Sequence, residues 1–239
     1  MSTVVMHNVV SVDGFIADHN DDVGPLFEWY FNGDTPLIPG EMDDPSPGGM
    51  KISKASYDYV RPTWDAIGSM VIGRHLFDMT NGWEGRPPTG DHVVVVSHHP
   101  KPDGWYPEAS YLFVDDVVQA IAKAKELAGE GTVAVAAGDV GGQALALGLV
   151  DEVAMDVVPV VFGSGKRYFG SFDGRCLLED PRTSSSGVTA CCTCATESAA
   201  DARTKTRSQT MSSTVLYRTH LARSTVSRHE RVSARPVSA

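Results

Sequence analysis

One stretch constrains the fold of this chain more than any other: the run TVAVAAGDVGGQALALGLVDEV, from Thr132 to Val153. Residues 133–137 form a short apolar, β-branched run of the kind that makes a strand buried on both faces. A glycine-rich turn, 138–142, follows, and residues 143–147 then carry a helical pattern. A second apolar strand is expected over 152–161. Glycines between a strand end and a helix start let the backbone close on a ligand. The first-turn N–H groups of a helix have no intrahelical partner, so an anion is their natural guest. The same spacing also arises for packing reasons alone, and G-x-x-G-G is not specific by itself.

The rest of the first 180 residues repeats the alternation. Residues 3–10 are expected to form a strand, followed by an acidic loop at 18–22 and a short aromatic segment at 26–31. Residues 33–49, rich in Pro, Gly and Asp, are expected to be an irregular loop, and 52–59 a helix. Residues 69–78 predict a strand running into a helix, 93–97 a buried strand, and 114–128 an amphipathic helix. Strands separated by helices argue for an α/β fold with a mostly parallel sheet covered on both faces. Three strand ends meet small or polar turns: Gly73-Arg74-His75, Ser97-His98-His99 and residues 138–142. Ligands of open α/β sheets collect beyond the carboxyl ends of the strands. Arg74 is suited to a bidentate phosphate contact, and Ser97 and His98 to a further phosphate or a ribose. Each turn alone has a bland structural reading; the three in this order point to a dinucleotide.

Charge divides the chain. Residues 1–180 hold 27 acidic and 11 basic side chains, whereas 181–239 hold 3 acidic and 9 basic. Serine and threonine occupy 21 of the last 59 positions, and Trp and Phe are missing there. Such a composition buries too little apolar surface to offset its ordering entropy. The expected organisation is therefore a domain over 1–180 and a disordered Ser/Thr/Arg-rich tail over 181–239. Cys191 and Cys194 have C-x-x-C spacing, but no second pair or histidine cluster completes a metal site, so no metal is expected. The net charge of -10 disfavours nucleic acid. No apolar run reaches the roughly 20 residues of a membrane span, and no basic n-region precedes the first strand. A cytoplasmic protein without a membrane or nucleic-acid partner is expected.

The order of these motifs resembles the dihydrofolate-reductase-like fold. It is most similar to the C-terminal reductase domain of bacterial riboflavin biosynthesis proteins of the RibD type. The resemblance rests on Ser11-x-Asp13-Gly14-x-Ile16-Ala17 after the first strand, and on Val71-Ile72-Gly73-Arg74-His75. It continues through residues 93–97, Ala137-Gly138-Asp139-Val140-Gly141-Gly142, residues 151–159, and Phe162-Gly163-Ser164-Gly165-Lys166. It spans roughly residues 3–180. The implied architecture is a three-layer α/β/α sandwich, and the implied cofactor is NADPH. By the resemblance, Gly73, Arg74 and His75 hold the pyrophosphate, and Ser97 and His98 receive the adenosine 2′-phosphate. Residues Gly138, Asp139, Val140, Gly141 and Gly142 lie under the nicotinamide half. The zinc deaminase motifs H-x-E and P-C-x-x-C of the full riboflavin enzyme do not occur here.

The implied reaction is hydride transfer to a small heterocyclic or carbonyl substrate, as in 5-amino-6-(5-phosphoribosylamino)uracil reductase or dihydrofolate reductase. The cofactor supplies the hydride, and the protein alignment and electrostatics. Two acids are candidates for the catalytic role. Asp13 either touches substrate or caps the turn before Gly14. Glu28 is the one acid in the aromatic segment and is otherwise a surface residue. Lys51, Lys54, Arg61, Lys166 and Arg167 are candidate partners for a substrate phosphate. A non-catalytic nucleotide-binding protein, or a flavin or deazaflavin oxidoreductase, is the alternative; a homodimer is the assembly the resemblance allows.

The tail has a second reading, as a frameshift product. Dropping two nucleotides at the Gly187 codon lets the degenerate codons of residues 188–197 decode as Arg-Asp-Arg-Val-Leu-His-Leu-Arg-Tyr-Arg. That is an alternating strand of the kind that closes this family's sheet. On this reading the sheet lacks its last strand and keeps an unpaired edge.

Overall fold

The structure is a computed structural model that describes residues 2–37, 49–178 and 215–220, the last six by backbone alone. Seven strands form the main sheet: β1 (Val4–Ser11), β5 (Ile67–Gly73), β6 (His92–Val96), β7 (Tyr111–Val114), β8 (Thr132–Ala136), β9 (Glu152–Val158) and β11 (Val215–His220). Their spatial order is β11-β9-β1-β8-β5-β6-β7. All neighbours are parallel except the β11–β9 pair, which is antiparallel. Two short pairs lie outside it: β2 (Phe15–Ala17) with β10 (Lys166–Arg167), and β3 (Thr35–Pro36) with β4 (Lys51–Ile52). The latter brackets the segment expected to be an irregular loop; residues 38–48 lie outside the described ones.

The central strands are Val-rich because both faces are covered. Val4, Met6 and Val10 of β1 pack on one face with α3 (Val117–Ala128) and α4 (Asp139–Ala146). On the other face Val9 packs with Leu26, Trp29 and Tyr30 of a 3-10 segment (Gly24–Tyr30) and with Val60 of α1 (Lys54–Asp65). Phe77 of α2 (Arg74–Thr80) completes that face over Ile72, Val93 and Val95. The result is the expected three-layer α/β/α architecture.

Local chemistry moves several element boundaries. The helix expected at 52–59 runs from Lys54 to Asp65, because the Ser53 side chain accepts from the Ser56 N–H and caps it. The helix expected at 114–128 starts at Val117: Asp116 caps it through the Gln119 N–H, and Val114 instead ends the unexpected strand β7. The strand expected to reach residue 161 stops at Val158, where Pro159 removes a ladder donor. The largest revision is α4, which begins at Asp139 rather than residue 143. Gly141 and Gly142 are therefore helical residues and not part of the turn.

Within the expected tail, Val215–His220 pairs with β9 from Val215↔Val157 to His220↔Glu152. The β9 edge expected to be unpaired is thus occupied, by the stretch Val-Leu-Tyr-Arg-Thr-His, whose β-branched and aromatic content suits a strand. Residues 188–197, on which the frameshift reading rests, and Cys191 and Cys194 lie outside the described residues. Among the described residues no helix is long and apolar enough to cross a membrane.

Candidate active site

A cleft of about 690 Å³ opens along the carboxyl half of the sheet. Its floor is His7, Asn8 and Val9 of β1, with Ala134, Val135 and Ala136 of β8. One end is closed by Gly73, His75 and Leu76 at the β5–α2 junction, and by Gly138, Asp139 and Val140 at the start of α4. The other end is an aromatic chamber of Phe27, Tyr30, Trp64 and Trp83. The volume lies within the range of small-molecule and cofactor sites, and so does the balance of apolar wall and few polar groups.

Gly138 sits at φ 93° and ψ -151°, a region that only glycine occupies comfortably. This conformation turns β8 straight into α4 with no side-chain cap on the helix. The N–H groups of the first turn are left for a guest in the cleft. Gly141 and Gly142 do something else. A Cβ on Gly141 would stand 2.7 Å from the Ala136 carbonyl oxygen and 2.8 Å from Met6 Cε. One on Gly142 would stand 2.2 Å from the Phe169 carbonyl oxygen. Both are buried, and both face protein. They let α4 settle against β8 and the 168–171 loop, and neither lines the cleft, although the resemblance puts them under the nicotinamide half. That loop is held to the helix start by the Gly138 N–H on the Tyr168 carbonyl (2.7 Å) and the Ser171 N–H on Asp139 Oδ1 (2.9 Å).

Arg74 lies outside the cleft wall. Its Nε donates to Asp78 Oδ1 (2.8 Å), and its Nη1 reaches Ser97 Oγ and the Pro100 carbonyl, both at 3.4 Å. The fold thus joins Arg74 to the Ser97 turn rather than to the glycine turn. The Ser97 hydroxyl itself closes a local turn with His99, and His98 is exposed beside it. His75 does face the cleft. Its Nε2 is 3.0 Å from Asp21 Oδ1, and Lys166 Nζ approaches the same oxygen at 3.3 Å. The hydrogen bond from His75, then the nearby Lys166, hold the Asp21 carboxyl below its ordinary range.

Neither candidate acid stands in the cleft wall. Asp13 is exposed and serves as a staple. It accepts from Ser11 Oγ (2.6 Å), the Phe162 N–H (3.2 Å) and the Gly163 N–H (2.7 Å), tying the β1–β2 turn to the 162–165 loop. The Ser11 hydrogen bond, then those backbone donors, keep its carboxyl below the usual range. Glu28 is exposed on the 3-10 segment. The three-residue repeat sends Phe27 and Tyr30 to the cleft and Leu26 and Trp29 to the core, leaving Glu28 to solvent. Of the phosphate candidates, Lys166 and Arg167 line the cleft; Lys54 and Arg61 pair along α1 with Asp58 and Asp65.

The motifs do not point to one polar pair, in which His7 lies in the cleft floor and Asp156 behind it. His7 Nε2 lies 3.0 Å from Asp156 Oδ2, with Asp156 only 2 % exposed. Both residues sit on the face toward α1, two positions apart in the β1–β9 register, where Val9 aligns with Asp156. Asp156 also acts on its surroundings: burial first, then its negative charge, push the Tyr30 hydroxyl well above its ordinary range.

No family model matches the chain, and no curated protein matches it in sequence. Among solved structures it is similar to a protein of Shewanella sp. PV-4 described as a riboflavin biosynthesis protein. That likeness has a TM-score of 0.52 and 20% identity over 75% of this chain and 89% of that one. A diaminohydroxyphosphoribosylaminopyrimidine deaminase/5-amino-6-(5-phosphoribosylamino)uracil reductase of Thermotoga maritima gives TM-score 0.47 and 15% identity, over 77% of this chain and 54% of that one. Dihydrofolate reductase of Enterococcus faecalis, complexed with NADP(H), gives 0.47 and 13%, over 92% and 96%. The Shewanella likeness carries the fold. The α/β architecture with a mostly parallel, doubly covered sheet, read from the motifs, is that of this chain.

Proposed function

We propose that the protein is an NADPH-dependent reductase that transfers hydride to a small, planar, electron-poor heterocycle or carbonyl compound. The observation that carries this reading is the cleft itself. It sets an uncapped helix start on Gly138, close to Gly73, at one end and the aromatic chamber at the other, across a floor of β1 and β8. The first site suits a pyrophosphate, because its donors are backbone N–H groups at the positive end of α4. Gly73 and Val140 pack so closely that a Cβ on Gly73 would lie 3.2 Å from Val140 Cγ2, which keeps this passage narrow. Arg74 and Ser97, drawn together outside the wall, suit the 2′-phosphate of NADPH. The chamber of Phe27, Tyr30, Trp64 and Trp83 suits a flat ring, which aromatic faces bind by stacking. NADPH supplies the hydride. The chain binds the dinucleotide, aligns the ring beside it and excludes water from the apolar floor.

The Shewanella protein that shares this fold is described as a riboflavin biosynthesis protein, and a place in riboflavin biosynthesis is one use for a reductase of this kind. The expected domain over 1–180 contains every residue of this site. The test is NADPH oxidation, followed at 340 nm, against a panel of cyclic imines and pyrimidine carbonyl compounds, with deuterated cofactor as tracer. Deuterium in the product carbon supports the reading. Saturable NADPH binding with no transfer to any compound favours a binding protein, and a response to flavins alone favours the flavin alternative.

A further inference from the structure

We propose that His7, oriented by Asp156, is the proton donor of the reduction. This rests on the reductase reading and adds the group that completes its chemistry. Hydride addition to a C=N or C=O carbon leaves a pair of electrons on nitrogen or oxygen, which a proton must neutralise. With Asp13 and Glu28 directed elsewhere, the floor of the cleft presents His7, which is paired behind it with Asp156. Asp156 is buried, and its Oδ1 has no hydrogen-bond partner among the described residues. His7 is 24% exposed and lines the cleft directly. It also lines a second cavity of about 180 Å³ under α1, which Asp156 shares. The pair therefore lies between this cavity and the cleft.

In the proposed arrangement Nε2 of His7 donates to Asp156 Oδ2, 3.0 Å away, and the exchangeable proton of the imidazolium is the one on Nδ1. In the step, hydride forms a C–H bond and the C=X π electrons move to X. The Nδ1–H bond of His7 breaks as an X–H bond forms. His7 is left neutral, still held through Nε2, and regains its proton from water. Among the described residues, Tyr59 of α1 lines the same small cavity as the pair, and Tyr30 of the 3-10 segment and Tyr168 of the 168–171 loop both feel the charge of Asp156. The hydroxyls of Tyr30 and Tyr168 are pushed well above their ordinary range, mainly by burial, and stay protonated where histidine titrates.

The test uses the full chain with ¹⁵N-labelled histidine, the ring nitrogens followed by NMR from pH 5 to 9, in wild type and Asp156→Asn. Nδ1 of His7 is expected to titrate while Nε2 stays protonated. In D156N the ring is expected to lose its proton at lower pH, because a neutral amide does not favour the cation. A His7 ring that does not titrate, or that carries its neutral proton on Nδ1, overturns the proposal. So does an unchanged titration in D156N. NADPH affinity is measured on the same samples. If it is absent in wild type, the reductase reading fails while the histidine titration still reports on the pair. With any substrate that draws hydride, His7→Asn is expected to lower kcat by about 10²–10⁴-fold with NADPH affinity unchanged; full turnover in H7N is a refutation.

Discussion

Substituting Gly142 by alanine separates two uses of the glycine turn, helix packing and ligand approach. In this structure the added Cβ would stand 2.2 Å from the Phe169 carbonyl oxygen, a backbone atom that cannot rotate away. Either α4 or the 168–171 loop must then move by most of an ångström. Overpacking of this kind costs roughly 1–3 kcal/mol, and a rigid backbone obstacle places it at the upper end. Alanine returns about 1 kcal/mol through its helix propensity. The net expected loss is about 2 kcal/mol, which lowers Tm by about 4–8 °C for a body of this size. Calorimetry of the ligand-free variant against wild type reads it. NADPH affinity should weaken as well, because the loop that moves is anchored to Gly138 and Asp139. An unchanged Tm together with lost NADPH binding would refute the reasoning, since it would mean that Gly142 faces the ligand.

Arg74→Ala is expected to weaken NADPH by about 1–3 kcal/mol, as for a charge-assisted hydrogen bond, while leaving NADH affinity unchanged; equal losses for both nucleotides would remove Arg74 from the 2′-phosphate. Removing residues 179–239 takes away β11 and bares the β9 edge. Light scattering should then show concentration-dependent association that the full chain lacks. The Tyr111 hydroxyl, which donates to the Gly82 carbonyl at 2.8 Å, is pushed up to about 12 by burial. An unfolded tyrosine ionises near 10, so the folded state holds this proton longer, and stability should fall between about pH 10 and 12 by up to ~1.4 kcal/mol per pH unit. Denaturant melts of wild type and Tyr111→Phe across that range check it, the variant losing that part of the slope.

The central strands were legible because a strand buried on both faces is a mostly apolar run, as β1, β5, β6, β8 and β9 are, with valine most frequent in β6. β7 was not, because four residues at the sheet's far edge, with Leu112 exposed, carry no such signature. The start of α4 was misplaced for a related reason. Gly141 and Gly142 look like turn residues in one dimension, and only their distance to the Ala136 and Phe169 carbonyls shows that smallness serves packing. At the site, the turns holding Gly73, His75, Gly138 and Val140 were readable from chain order, and the fold brings these four to the cleft. The His7–Asp156 pair of the proposal was not. Asp13 and Glu28 were singled out by their place near motifs, whereas His7 and Asp156 are 149 positions apart and meet only across β1 and β9. Polar residues inside two largely apolar strands, His7-Asn8 in β1 and Asp156 in β9, were the available signal. It becomes meaningful once parallel pairing puts both on one face.

Titration of the full chain with NADPH, following cofactor fluorescence, tests the central claim most directly. The account predicts saturable binding with a dissociation constant below about 1 mM, within the span of enzyme–substrate affinities. NADP⁺ should compete, NADH should bind more weakly, and FMN should not displace the nucleotide. Absence of saturation at that concentration, or displacement by FMN, would contradict it.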